Sequence, residues 1–120
     1  MTRLLAATLV AASLLAIPAA IAARAPALGE RAAITRALPL YLRNTPVECV
    51  WLVIRVSRNP RYAKVDPVYL VASPGSRCLR YASDGFYVLK KSRKWRIIYS
   101  GSDPPPCSKR IPRDLVACLP

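Results

Sequence analysis

The sequence predicts an α+β fold in which an N-terminal helix packs on a curled antiparallel sheet of about four strands, followed by a disulfide-stapled C-terminal tail. Three observations favour this class. One segment has apolar residues at helical spacing, several later segments alternate apolar and polar residues between turn signals, and four cysteines occur in 120 residues that include no histidine. We expect a small core that disulfides reinforce.

The first 22 residues have the features of a secretory signal peptide. One charge, Arg3, precedes an apolar stretch over residues 4–17 that is shorter than the roughly 20 residues of a membrane span, and Pro18 follows it. We predict cleavage near Ala22 or Ala23. The mature protein is then secreted, with no retained transmembrane segment.

Cleavage leaves one small domain with a large positive charge. Residues 23–29 form a loose leader without apolar periodicity, and residues 30–120 form a single domain. Of 19 basic residues, cleavage removes only Arg3, so the net charge changes from +13 to +12. Such a surplus attracts anions. A GC-rich genome would give the same arginine excess without selection for binding, and the sequence leaves both explanations open.

The first two elements are a helix and a strand. The helix covers residues 30–44, and Pro39 should kink or stop it. Its apolar stripe consists of Ile34, Leu38, Tyr41 and Leu42. The strand covers residues 47–57 and has two distinct faces. The face that should meet the helix carries Val50, Leu52, Ile54 and Val56, and the other carries Cys49, Trp51, Val53 and Arg55.

Three further strands and a tail follow. Residues 62–72 predict a strand that Pro67 interrupts, at an edge or a bulge, because proline cannot donate to the ladder. The pair Asp84-Gly85 is a turn signal ahead of the strand over residues 86–91. In the last strand the alternation places Trp95, Ile97 and Tyr99 on one face. The proline-rich tail ends in a possible helical turn from Pro112.

The four cysteines favour two disulfides over a metal site, because the chain is exported and has no Cys-x-x-Cys spacing. Cys107 and Cys118 are close in sequence across a plausible turn, which slightly favours pairing them and joining Cys49 to Cys78. The rival pairing of Cys49 with Cys118 and Cys78 with Cys107 closes longer loops, so it remains open. No cofactor is expected.

Several motifs resemble a set of small exported proteins from high-GC bacteria. The segments that carry the likeness are VSRNPRYAKV, RYASDGFYVLKK, WRIIYSGSDPPPC and IPRDLVAC, within residues 47–119. In that set a Trp-Arg-(Ile/Val)-(Ile/Val) strand runs into Gly-Ser, a proline-flanked cysteine, a Pro-x-x-(Leu/Val) turn and a last cysteine. The resemblance implies export, the disulfides and the fold, and it implies no reaction.

Catalysis is not expected from this sequence. Without histidine, the common general base and the Ser-His and Cys-His pairs are missing. Glu48 and Asp66 are a conceivable carboxylate pair, but ion pairs with the numerous arginines explain them better. Asp84 is assigned to its turn, and Asp114 to the first turn of the terminal helix, where its charge suits the helix dipole. We therefore predict that the protein is not an enzyme.

Two basic clusters are the candidate site. They flank turns and consist of Arg55, Arg58, Arg61, Lys90, Lys91, Arg93, Lys94 and Arg96. On one side of the sheet they would bind phosphate, carboxylate or sulfate groups, and Trp51 and Trp95 could add stacking. Basic residues that merely solvate turns and protect edge strands are the alternative. We predict a non-catalytic binding module for an anionic lipid, wall polymer or glycan outside the cell; nucleic acid is an unlikely partner there.

Two rival functions remain open. The segment from Cys107 to Pro112 resembles the reactive loop of Bowman–Birk-type serine protease inhibitors, which would place Lys109 in a trypsin-like pocket. Arg110 departs from that pattern, which has a small residue there. Alternatively, the chain is a structural subunit of an exported assembly that binds a protein partner through an apolar patch at Trp51 and Val53.

Overall fold

The computed structural model describes residues 22–71 and 76–120; the predicted signal peptide lies outside these ranges except for Ala22. The helices and strands are α1 (Leu28–Arg36), α2 (Leu40–Arg43), β1 (Val50–Val56), β2 (Tyr62–Tyr69), β3 (Phe86–Lys91) and β4 (Trp95–Gly101). Short 3-10 turns occupy Leu79–Tyr81 and Cys107–Lys109. The chain is α+β, with four antiparallel strands and two disulfides, as its sequence predicts. No helix within the described ranges is both long and apolar enough to cross a membrane.

The sheet is an antiparallel meander in the order β1-β2-β3-β4. This order places the β1–β2 turn and the β3–β4 turn at the same end, where the Lys91 N–H donates to the Arg61 carbonyl at 2.7 Å. Ladder pairing between β2 and β3 runs only from Tyr62 to Val65 on β2. Pro67 lies beyond that ladder, so its missing N–H breaks no β2–β3 bond.

The main core lies between the helices and one face of the sheet. Pro39 is the N-cap of α2, so α1 has already ended when the chain reaches the proline. The buried residues of this core are Ile34, Leu38, Leu42, Ile54, Val56, Ala63, Val65, Tyr87, Leu89 and Trp95. Each fully buried aliphatic side chain contributes roughly 1.5–3 kcal/mol by leaving water. On β1 the predicted inner face is the one that packs against the helices.

A β-bulge in β4 changes the face on which Tyr99 lies. Ile97 pairs with Leu89, whereas Tyr99 pairs with Val88, so Ile98 is an extra residue in the ladder. The prediction that Tyr99 shares a face with Trp95 and Ile97 is therefore wrong. Tyr99 instead lies on the opposite face, with its ring 5.7 Å from that of Phe86. Simple alternation in the sequence contains no signal for the bulge.

The C-terminal tail is fastened to the β1–β2 turn. Asp114 accepts hydrogen bonds from the Ser57 hydroxyl at 2.7 Å and the Arg58 backbone N–H at 2.8 Å. The assignment of Asp114 to a helix dipole is therefore wrong, since residues 113–115 form only a turn and its carboxylate binds a distant loop. Val88, on the face away from the helices, is fully buried, and Ile111 and Leu115 of the tail are buried with about a twentieth of their surface exposed.

Two disulfides complete the fold, with the pairing that the sequence slightly favours. Cys49 joins Cys78, and Cys107 joins Cys118. The first connects the start of β1 to the long β2–β3 connection, and the second closes the tail on itself. Because β2 ends at Tyr69 and β3 begins only at Phe86, Asp84-Gly85 leads into a strand and does not form a two-residue hairpin turn.

Candidate anion-binding site

A cavity of about 620 Å³ opens between α1 and the β3–β4 turn. We call it the basic cavity. Its lining consists of Ala33, Arg36, Ala37, Lys91, Arg93, Lys94, Trp95 and Arg96. Five of these eight residues are cationic, all five are exposed, and none of the eight is acidic.

The local sequence explains how the cavity forms. Ala33 and Ala37 are four residues apart, so they occupy one side of the helix and pack against the core next to Trp95. Their small side chains leave space above the sheet at this end. Lys91 pairs directly with Trp95 across the β3–β4 ladder, so the two share a face. The turn between them, residues 92–94, supplies two further cations.

The positive charge of the basic cavity is not neutralised by ion pairs among the described residues. Within the described ranges the basic residues that form salt bridges are Arg24, Arg55, Lys64 and Arg77. None of them lines the cavity. Glu30 is close enough for Lys91 to influence its charge. Its carboxylate, however, is engaged by both terminal nitrogens of Arg24, at 2.7 and 3.0 Å.

The Arg24–Glu30 pair also fixes the start of α1. Glu30 accepts a hydrogen bond from the backbone N–H of Ala27, the N-cap residue, at 3.0 Å. Hydrogen bonds from Arg24 and Ala27, with the nearby charge of Lys91, lower the pKa of Glu30 to about 2. The backbone of Arg24 bonds in both directions with Val56, at 2.9 and 2.8 Å. The predicted leader is therefore attached to the outer edge of β1 at this point.

Trp95 forms the apolar wall of the basic cavity and is only 5% exposed. Its Nε1–H is buried and has no hydrogen-bond partner within the part of the chain that the structure describes. An indole N–H is only a donor, so no other group on the ring can compensate. An unpaired buried donor costs roughly 1–3 kcal/mol.

The structure brings together only some of the predicted cations. Lys91, Arg93, Lys94 and Arg96 line the basic cavity, together with Arg36, which the sequence does not indicate. Arg96 pairs with Lys90 in the ladder, so its side chain belongs to the opposite sheet face and it borders the cavity from its rim. The remaining four lie elsewhere, although Arg58 and Arg61 occupy the adjacent β1–β2 turn at the same end of the sheet. Arg36 belongs to the helix, and it reaches the cavity lining because α1 packs beside Trp95 of β4. In the sequence, only its spacing of three residues from Ala33 relates it to the small residues of the cavity.

Two of the other predicted cations, Arg55 and Lys90, have local partners. Arg55 lies on the face away from the helices and contacts Asp66 at 3.7 Å. Lys90 is on the same face, with its ammonium 5.4 Å from the centre of the Tyr62 ring. Both side chains are exposed. Lys90 and Arg55 therefore belong to a separate surface, where the positive charge is partly compensated.

The two tryptophans lie far apart in the architecture. Trp51 is on β1, at one edge of the sheet, and Trp95 is on β4, at the other. Trp51 is 60% exposed, with the Arg31 guanidinium 5.5 Å from its ring centre. Its ladder partner Val68 is also exposed, so this edge has a small apolar surface. A joint stacking platform of Trp51 and Trp95 is excluded by this placement.

The candidate carboxylates are engaged in ion pairs. Glu48 contacts Arg77 at 3.0 Å, and Asp66 contacts Lys64 at 3.1 Å as well as the more distant Arg55. Glu48 precedes β1 and Asp66 lies within β2, which pairs it with Val53. Ion pairing accounts for both carboxylates, as the sequence analysis favoured.

The tail loop that carries Lys109 is a turn. Residues Cys107–Lys109 form a 3-10 turn, and Arg110 follows in the left-handed conformation with φ of 54°. Lys109 reaches the Ile98 carbonyl at 3.5 Å. The loop is thus directed toward β4. The placement of Lys109 in a trypsin-like pocket stays a prediction.

A second cavity lies at the opposite end of the same sheet face. Its volume is about 400 Å³, and its lining consists of Pro39, Tyr41, Pro67, Ser83, Asp84, Gly85, Phe86, Tyr87, Ile97, Ser100 and Gly101. We call it the hydroxyl cavity, because four of its residues carry hydroxyl groups and none is cationic. The hydroxyls of Tyr41 and Tyr87 hydrogen-bond to each other. Burial, with this hydrogen bond, raises the pKa of Tyr87.

Comparison with models of protein families, with curated proteins and with solved structures finds no match for this chain.

Proposed function

We propose that this protein is a secreted, non-catalytic binding module for an anionic surface or polymer, and that the basic cavity is its binding site. The observation that supports the site is the lining itself, with five cations, no carboxylate and an apolar wall. Lipid headgroups, wall polymers and acidic glycans all present the negative groups that such a lining binds.

The electrostatics of the cavity favour an external anion. Positive side chains that surround one concave space repel one another, and an anion relieves this repulsion. Concave surfaces of one sign also focus the field and raise the local concentration of counter-ions. Among the described residues, no carboxylate lines the cavity, and nearby Glu30 is already engaged by Arg24.

Export is the other part of the proposal. Two disulfides are typical of an oxidising compartment, and the apolar N-terminal sequence has the features of a signal peptide. The resemblance to small exported bacterial proteins points to the same location. Outside the cell, anionic lipid, wall polymer and glycan are more abundant ligands than nucleic acid.

Two triple variants with equal net charge test the site. R36A/R93A/K94A removes three cations of the basic cavity, whereas R43A/R80A/R113A removes three exposed cations elsewhere. Each lowers the formal charge from +13 to +10, because each removes three positive side chains. Binding is measured by co-sedimentation of the disulfide-intact chain with phosphatidylglycerol vesicles, and with phosphatidylcholine vesicles as the neutral reference.

The cavity variant should lose affinity on the order of 100-fold, since each cation near an anionic surface contributes about 1 kcal/mol. The control variant should lose much less. Binding by the unmodified chain should also weaken as salt is raised, because the interaction is screened. Equal losses in the two triple variants would contradict the proposal, since binding would then depend on total charge and not on the cavity.

A further inference from the structure

Trp95, which forms part of the wall of the basic cavity, carries a hydrogen-bond donor that the described residues do not satisfy. Its Nε1–H is buried behind the wall and has no partner among those residues. Native proteins leave few buried donors unpaired, so we expect an acceptor from outside these residues, such as an oxygen of a ligand in the adjoining cavity. This observation restricts the chemical class of the ligand, in an inference that rests on the proposed function.

The number of donors indicates a ligand with several negative oxygens. On the face of Trp95 the lining includes two arginines, Arg36 and Arg93, and two lysines, Lys91 and Lys94, together with the indole N–H. Arginine matches planar or tetrahedral oxyanions with two parallel hydrogen bonds, and lysine acts as a point charge. A single carboxylate has one charge and two oxygens, which is too little for this set. Adjacent phosphate groups provide more oxygens and more charge.

We infer that the basic cavity binds a multiply charged phosphate-type oxyanion, one oxygen of which accepts a hydrogen bond from Trp95 Nε1–H. The cations favour a ligand with several negative charges. The indole N–H favours a ligand that has an acceptor oxygen close to the Trp95 ring. Since Nε1 is itself shielded from solvent, an acceptor reaches it when a neighbouring side chain moves. The cations that line the cavity are exposed and have many rotamers, so the lining rearranges at little cost.

The probe is pyrophosphate, followed by ¹H-¹⁵N spectra of the disulfide-intact chain. The two tryptophans give two indole signals, and a Trp51→Phe variant assigns them. The Trp95 signal should move progressively with pyrophosphate and saturate, while the Trp51 signal should stay in place. Citrate, whose carboxylates give it a charge close to that of pyrophosphate at neutral pH, serves as the matched control and should bind at least tenfold more weakly.

A Trp95→Phe variant supplies the second measurement, because it removes the N–H and keeps an aromatic ring in the wall. Its affinity for pyrophosphate should fall about tenfold, since a hydrogen bond to a charged group is lost. The same variant is then tested with phosphatidylglycerol vesicles. Weaker binding to both probes assigns the site to phosphate groups in general, and weaker binding to pyrophosphate alone assigns it to soluble or polymeric phosphate.

Different results overturn the inference and the proposed function. If R36A/R93A/K94A abolishes binding while the Trp95 indole signal stays in place and Trp95→Phe binds normally, the indole is only part of the core and this inference fails. Equal affinity for citrate and pyrophosphate would also overturn it. If the unmodified chain binds neither pyrophosphate nor anionic vesicles, the proposed function itself fails.

Discussion

The basic cavity and the hydroxyl cavity lie on the same sheet face, yet they are stabilised in opposite ways. The hydroxyl cavity is surrounded by rigid and covalent features: two prolines line it, and the Cys49–Cys78 disulfide lies at the same end of the sheet. The basic cavity is surrounded by exposed cationic side chains on a short turn and a helix. The backbone is therefore cross-linked at one end of the sheet, and exposed positive charge is clustered at the other.

This difference follows from the connections between strands. The β3–β4 turn is short, so its charged residues remain beside the strands that present them. The β2–β3 connection is long, and a disulfide and ion pair hold it at Cys78 and Arg77. Repelling charges destabilise a structure, so a cluster of five cations is tolerated where short connections keep the backbone in place. The comparison predicts that variants at the hydroxyl end mainly change stability.

Removal of the Cys49–Cys78 disulfide should have the largest effect on stability. This bond spans 29 residues, and the Cys107–Cys118 bond spans 11. In the chain-entropy model these separations correspond to about 4 and about 3 kcal/mol. Cys49 is also fully buried, so C49A/C78A loses packing as well. Urea unfolding of the two double-alanine variants measures both losses. A larger loss in C107A/C118A would contradict the proposed division between the two ends.

Gly85→Ala should destabilise the hydroxyl end next most strongly. Gly85 has φ of +123°, and an added Cβ would lie 3.2 Å from the Gly101 carbonyl oxygen. The strained backbone should cost about 2 kcal/mol. Gly29→Ala is the matched control, because nothing lies within 4 Å of its added Cβ and alanine favours the helix. Thermal unfolding compares the two; a neutral Gly85→Ala would show that this end tolerates movement.

Much of this architecture was accessible from the sequence, because it depends on local patterns. Alternation on β1 identified the inner face, Pro39 marked the end of the helix, and meander topology places the two basic turns at one end. The bulge at Ile98 was not accessible, since one extra residue leaves no periodic signal. The contribution of Arg36 to the cavity depends on how the helix crosses the sheet, which no local pattern specifies.

Tyr41→Phe should have a smaller effect, of about 1 kcal/mol, because it leaves the Tyr87 hydroxyl without its partner. Tyr62→Phe is the control, since within the described ranges the Tyr62 hydroxyl makes no side-chain hydrogen bond.

As the pKa of Tyr87 is raised in the folded state, the unfolded chain ionises first, and stability should fall as the pH rises above about 10. Urea unfolding at neutral and alkaline pH measures both effects; equal behaviour of the two variants would contradict this role.

The smallest effect is expected at the basic end of the sheet, where the ionisation of Glu30 should make the free energy of unfolding depend on pH in acidic solution. The pKa of Glu30 falls from 4.5 to about 2 on folding, so its contribution is present above pH 4.5 and is lost as the pH falls towards 2. Exposed ion pairs are generally worth about 0.2–1 kcal/mol, and solvent reaches this carboxylate. Glu30→Gln should therefore be slightly less stable than the unmodified chain at neutral pH and indistinguishable from it near pH 2.

Thermal unfolding between pH 2 and 7 measures this difference, and 0.5 M salt should reduce it by screening. Glu48→Gln is the matched control, because Glu48 also pairs with one arginine but lies at the other end and caps no helix. Equal stability of Glu30→Gln and the unmodified chain at every pH would show that the carboxylate acts only as a hydrogen-bond acceptor for the Ala27 N–H, which glutamine can replace. The negative charge of Glu30 in the first turn of α1 would then contribute nothing to the free energy of unfolding.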